Sequence, residues 1–171
     1  VLGSFFGVSS VWDAISDPLI GYWSDRTRSR LGRRRFWLLL SLLPLALTFV
    51  MVFSPPMTLT GNLLIAWMAI GVIGFYSAVT LLIVPHLSLG AEMTSDYHER
   101  SRLYGFRHAA YTVGSIIALA SMQVLINAEQ ESPEAVRTTA FHLSVVAGLV
   151  SAVLVGLAVV VLRERDDYQD L

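Results

Sequence analysis

Val11-Trp12-Asp13-Ala14-Ile15-Ser16-Asp17-Pro18-Leu19-Ile20-Gly21 is the stretch on which the reading of this chain turns. Its flanks are apolar enough for a membrane span, yet it carries two aspartates four residues apart. On an α-helix residues i and i+4 share a face, and Ser16 lies beside that pair. A charged side chain at the centre of a bilayer costs roughly 2.5–3.5 kcal/mol even on the mildest scale, so it normally faces a partner or a watery cavity. Two like charges on one stripe also repel, unless a cation sits between them or one is protonated. The plainer alternative is that Asp17 caps a turn at Pro18 and Asp13 lies near a helix end. That alternative leaves Asp13 without a role.

The composition agrees with a membrane location. Of 171 residues, 54% are hydrophobic and 15% charged, with a net charge of -1. These values and the long uncharged runs indicate an all-α integral membrane protein. The absence of cysteine excludes disulfides and thiolate metal sites. All 12 cationic residues are arginine, a bias for which the sequence offers no physical reason. Five spans are expected, at about 1–23, 36–53, 62–89, 104–126 and 140–162. Pro44 falls inside the second and Pro85 near the exit of the third, tolerable where neighbouring helices satisfy the freed backbone. Ser95-Asp96 followed by His98-Glu99 reads as a helix start, with an acid three residues after the cap. Small residues recur every fourth position at Ala110, Gly114 and Ala118, and again at Gly148, Ala152 and Gly156. Such stripes allow close helix approach, although Ala and Gly are common in apolar helices anyway.

Arginine counts set the expected sidedness. Ser24-Asp25-Arg26-Thr27-Arg28-Ser29-Arg30-Leu31-Gly32-Arg33-Arg34-Arg35 holds six arginines in ten residues. The connections after the third and fifth spans hold two each, those after the second and fourth none and one. By the positive-inside rule the 24–35 loop, the 90–103 loop and the C-terminal Arg163-Glu164-Arg165-Asp166-Asp167 run are cytoplasmic. The first span then enters from outside. No signal peptide precedes it, so an earlier span, and the start of a larger protein, are expected before Val1.

Asp13, the Asp17-Pro18-Leu19-Ile20-Gly21 run and the Ser24–Arg35 loop together resemble the glycoside–pentoside–hexuronide:cation symporters. These are the melibiose-permease-like branch of the major facilitator superfamily. A second block agrees: Pro85, Gly90-Ala91-Glu92-Met93-Thr94, Asp96-Tyr97, Glu99-Arg100, Arg102-Leu103 and Arg107. The resemblance covers essentially the whole chain. It implies that the five spans are the second to sixth of twelve helices, making the chain an incomplete N-terminal bundle with the C-terminal half absent.

The resemblance also implies site residues. Asp13, Ser16, Asp17 and Thr80 match the family's cation site, with Asp13 and Asp17 as the metal ligands if the ion is Na⁺. Carboxylate and hydroxyl oxygens suit a hard cation, and proximity of two acids makes H⁺ a natural competitor of Na⁺ or Li⁺. Thr80 has a simpler alternative, a hydroxyl bonded back to its own helix. Arg107 matches a substrate-facing arginine, with snorkelling to the interface as its alternative. The sugar-binding acid and aromatic that flank the fourth-helix proline are replaced by Ile83 and Leu87. That change favours a less polar or anionic solute, and lysolipids are carried by a related branch. Asp25, Arg26, Arg28, Arg33, Arg34, Glu92 and Glu99 are candidates for a cytoplasmic gate of ion pairs. The arginines alone serve equally as a topology signal holding anionic headgroups. His86, His108 and His142 lie near span ends, and His86 alone merits a test for pH sensing.

The reading that follows is a secondary active transporter coupling a sugar, glycoside or related solute to Na⁺ or H⁺ by alternating access. It would sit in the plasma or inner membrane, with the solute, membrane lipid and the missing C-terminal half as partners. No cofactor beyond the coupling ion and no nucleic acid is implied. The alternatives are a symporter of lysolipids or other anionic amphiphiles, and a non-transporting sensor or scaffold of the same fold. No nucleophile–base set or phosphate loop supports an enzyme.

Overall fold

The computed structural model describes residues 2–94 and 96–162. Among them are five helices and no strand: α1 (Leu2–Arg26), α2 (Arg33–Phe53), α3 (Asn62–Glu92), α4 (Tyr97–Glu131) and α5 (Pro133–Val161). Four of them, α2 to α5, are long and apolar enough to cross a membrane. The first falls short of that composition because Asp13, Asp17 and several serines interrupt its apolar run. Its 25 residues still reach about 37 Å at 1.5 Å each, longer than a roughly 30 Å hydrocarbon core. The chain is an all-α integral membrane protein.

The helices run past the expected spans wherever polar residues were taken to end them. A hydropathy run ends at the first charges, whereas a helix ends only where the backbone is capped or broken. Thus α4 has 35 residues, about 52 Å, with polar turns at both ends. Its start is the expected one: Asp96 accepts from the backbone N–H of His98 at 2.7 Å and of Glu99 at 3.0 Å. Ser95, the other half of that expected cap, lies outside the described residues. The acidic stretch 127–139, read as a connection, is nearly all helix. Ser132 alone separates α4 from α5, accepting from Ala135 N–H at 3.0 Å while Pro133 opens the first turn. Ser-Pro is a start signal with a known cause, since proline lacks the N–H that an N1 residue cannot use.

Packing is organised around α2. It lies antiparallel to α3, where a methyl on Gly74 would meet Thr48 Cγ2 at 3.1 Å and one on Gly71 would meet Val52 Cγ2 at 3.2 Å. It lies antiparallel to α5 as well, where a methyl on Gly148 would meet Ala46 Cα at 3.7 Å. The α5 stripe of small residues is therefore used at Gly148. At Gly114 and Gly156 nothing approaches within 4 Å. The tight Gly71–Gly74 crossing was legible as an i, i+3 glycine pair but was not anticipated. Leu38, Leu89 and Val159 form a buried cluster where α2 begins and α3 and α5 end.

The first helix runs parallel to α3. Trp12 Nε1 donates to Ser77 Oγ at 2.8 Å, and further along a methyl on Gly21 would meet Val84 Cγ1 at 3.8 Å. These two points mark the register between the helices. They also place the acid pair.

Candidate cation site and the charged helix-end cluster

Asp13 and Asp17 lie midway along α1, and Pro18 is inside the helix rather than at its end. The alternative in which Asp17 caps a turn at Pro18 is thereby excluded. Ser16, Ile20 and Ser24 are buried, forming the stripe that faces inward, while Asp13 is half-buried and Asp17 exposed on the flank of that stripe. Asp13 Oδ1 and Ser16 Oγ are inaccessible and have no hydrogen-bond partner among the described residues. Buried polar atoms are seldom left so, because each costs about 1–3 kcal/mol.

Thr80 comes to the same level. The contact offset between α1 and α3 is 65 residues at Trp12–Ser77. It is 63 at Gly21–Val84, so Thr80, 64 residues on from Ser16, stands opposite it. Thr80 is buried, 5% exposed. Thr48, Ser77, Thr112 and Ser115 each donate to a carbonyl of their own helix. Among the described residues Thr80 makes no such bond, which removes the simpler use of its hydroxyl. The donor set is one carboxylate oxygen, two hydroxyls and a flanking carboxylate, all hard oxygen ligands of the kind alkali cations and protons take.

Arg107 is exposed and lines a cavity of about 370 Å³ with His86, Leu87, Gly90, Tyr104 and Phe106. His86 is six residues beyond Thr80 along α3, about 9 Å at 1.5 Å per residue. The arginine is thus displaced from the acid pair towards the Glu92 end of α3. His108 stacks on Tyr111 and His142 packs beside Phe141, both exposed.

A separate charged cluster ties three helix ends. Glu92 Oε1, at the end of α3, accepts from Arg34 Nη2 at 2.6 Å, Arg34 Nε at 3.1 Å and Arg33 Nη2 at 3.0 Å. Arg34 Nη2 also pairs with Asp25 Oδ1 at 2.9 Å. The helix starts at Arg33, three residues before the expected span, because Gly32 at φ 105 turns the chain into it. Three arginines in the first turn oppose the helix dipole, whose positive end is there, so carboxylates brought alongside stabilise that end. Arg35 instead donates to the Val159 carbonyl of α5. Of the other gate candidates, Arg26 lies over the Tyr22 ring at 4.2 Å, and Arg28 is exposed. Glu99 accepts from Thr94 Oγ1 at 2.8 Å within the cap of α4. The structure thus brings together Asp25, Arg33, Arg34 and Glu92, and places Arg26, Arg28 and Glu99 elsewhere. The charged run 163–167 lies outside the described residues.

Comparison with known proteins identifies the family. The family described as MFS/sugar transport protein matches residues 1–170. This chain belongs to that family. Relatives agree: an uncharacterised symporter of Synechocystis is 39% identical over 68% of this chain. The inner membrane symporter YicJ of Escherichia coli is 34% identical over 74% of it. The sodium-dependent lysophosphatidylcholine symporter 1 of Xenopus tropicalis is 25% identical over 70%. The chain spans about a quarter of the length of these relatives, 22%, 27% and 23% respectively. The resemblance to the glycoside–pentoside–hexuronide:cation symporters, drawn from the two motif blocks, holds.

Proposed function

We propose that this chain belongs to a cation-coupled symporter and carries its cation site, formed by Asp13, Ser16, Asp17 and Thr80. The observation that carries the reading is the pair of buried, unpartnered oxygens on Asp13 and Ser16, level with the buried Thr80. A Na⁺ between them would satisfy both atoms, and either Na⁺ or a proton on one of the aspartates would relieve the repulsion of the acids. Relatives named as symporters support the same class. Coupling then follows if the solute binds well only when the cation is present, so that one gradient drives the other.

For the solute, the Arg107 cavity favours an anionic amphiphile over a simple sugar. Its lining is apolar apart from Arg107, His86 and the Tyr104 hydroxyl, and Leu87 supplies no acceptor for sugar hydroxyls. Three relatives are named as sodium-dependent lysophosphatidylcholine symporters. The Asp25–Arg34–Glu92–Arg33 cluster serves as the gate, closing the arginine-rich end, which on the arginine count is cytoplasmic. The test is uptake by the full-length protein in proteoliposomes, with a glycoside, a hexuronide and a lysophospholipid as probes. An imposed Na⁺ or H⁺ gradient should accelerate entry of one of them. Asp13→Asn and Asp17→Asn should abolish that acceleration while the protein remains in the membrane. Unchanged coupling in both variants overturns the reading.

A further inference from the structure

We infer that Trp12 and Ser77 are positioning residues for the cation site, their hydrogen bond locking the register of α1 on α3. The inference rests on the cation reading above. An indole N–H can only donate, so the direction of the 2.8 Å bond is fixed, Trp12 Nε1 to Ser77 Oγ. Ser77 spends its own proton on the Ile73 carbonyl at 2.8 Å, which leaves its oxygen lone pair facing the indole. Both partners are thus committed, and the bond joins α1 to α3 one helical turn before Ser16.

Register matters here because of scale. A slip of one residue moves α1 by about 1.5 Å along α3. Coordination lengths tolerate only about ±0.2 Å. Ser16 and Thr80 share a level only while the offset lies between its values at Trp12–Ser77 and Gly21–Val84. On the Gly21 side a methyl added to the glycine would meet Val84 Cγ1 at 3.8 Å, an ordinary packing distance that does not specify a register. The directional bond does. The two residues touch no ion themselves; they act through the alignment of those that do.

The two partners are not equivalent. Ser77→Ala removes the acceptor, whereas Trp12→Phe removes the donor together with part of the ring volume. Ser77→Thr keeps the hydroxyl and should keep the bond.

The experiment uses purified full-length protein and reads melting temperature against cation concentration, since a ligand of the folded state raises it by mass action. Na⁺ is titrated at fixed pH, and H⁺ is titrated in Na⁺-free buffer. Trp12→Phe and Ser77→Ala should raise the half-saturating concentration of the stabilising cation roughly two- to tenfold, the factor that one neutral hydrogen bond spans. The double variant should be no worse than the more affected single variant, and Ser77→Thr should match the parent. A lower melting temperature with an unchanged half-saturation value, or effects that add in the double variant, would overturn the inference. Asp13→Asn is the control: if it too keeps the cation response of the parent, the cation site itself has failed.

Discussion

Replacing Glu92 by glutamine removes the charge on which two arginines converge, and the geometry sets the size of the effect. Arg34 is 8% exposed and Glu92 20%, so this pair is largely out of solvent, and Arg33 at 16% shares the same oxygen. Breaking a buried pair costs roughly 3–5 kcal/mol. Here the loss is smaller, about 2–3 kcal/mol, because the amide still accepts a hydrogen bond and Asp25 still faces Arg34. Asp25 is 55% exposed, so its pair is a surface one worth about 0.2–1 kcal/mol. Glu92→Gln should therefore open this end of the bundle far more than Asp25→Asn does. A reporter lies close by: Ser24 is fully buried, and Ser24→Cys is a near-isosteric change beside the cluster. Labelling of that thiol by a water-soluble maleimide is governed by how often the helix ends separate. Glu92→Gln should accelerate it at least about tenfold, and Asp25→Asn less than about fivefold, at about 1.4 kcal/mol per factor of ten. Equal rates in the two variants, or no change with Glu92→Gln, would refute the assignment of the cluster's strength to Glu92.

Other expectations follow from packing and from the candidate site. Gly74→Ala drives a methyl against Thr48 and should lower stability by about 1–3 kcal/mol. Gly156→Ala meets nothing within 4 Å and should be neutral or stabilising by up to about 1 kcal/mol through helix propensity; thermal melts of the two variants give the comparison. Thr80→Val keeps the shape of a buried residue while deleting an oxygen that makes no bond back to its own helix. It should weaken cation dependence with little loss of melting temperature, and a large drop in melting temperature with normal cation dependence would show that Thr80 is structural.

Much of the fold was written in the sequence in legible form. The Asp13–Gly21 run and the arginine loop pointed to the family, and uncharged runs located four of the helices. The Asp96 cap was visible because its chemistry is local: a carboxylate needs only the next turn of backbone. What escaped depended on partners distant in sequence. The arginines at 33 and 34 are alike in sequence to those at 26 and 28, yet only the former meet Glu92, because Gly32 folds them into the first turn of α2. Glu99 has the same charge as Glu92 but is taken up by Thr94 in a cap. The glycines of α4 and α5 share one spacing, and only packing against Ala46 separates Gly148 from Gly114. Helix ends were misplaced at 127–139 because polarity was taken for a break, when a helix ends only where its backbone is capped or broken. The Trp12–Ser77 bond joins helices through residues 65 positions apart and left no mark in the sequence.

The proposed docking of a cation at the acids of α1 can be read from charge movement in proteoliposomes of the full-length protein held on a solid support. Rapid Na⁺ or H⁺ jumps, with no solute present, should evoke a saturable inward displacement of positive charge as the ion enters the site. Asp13→Asn and Asp17→Asn should abolish this transient; a displacement of parental size and saturation in both variants would show that no cation docks there.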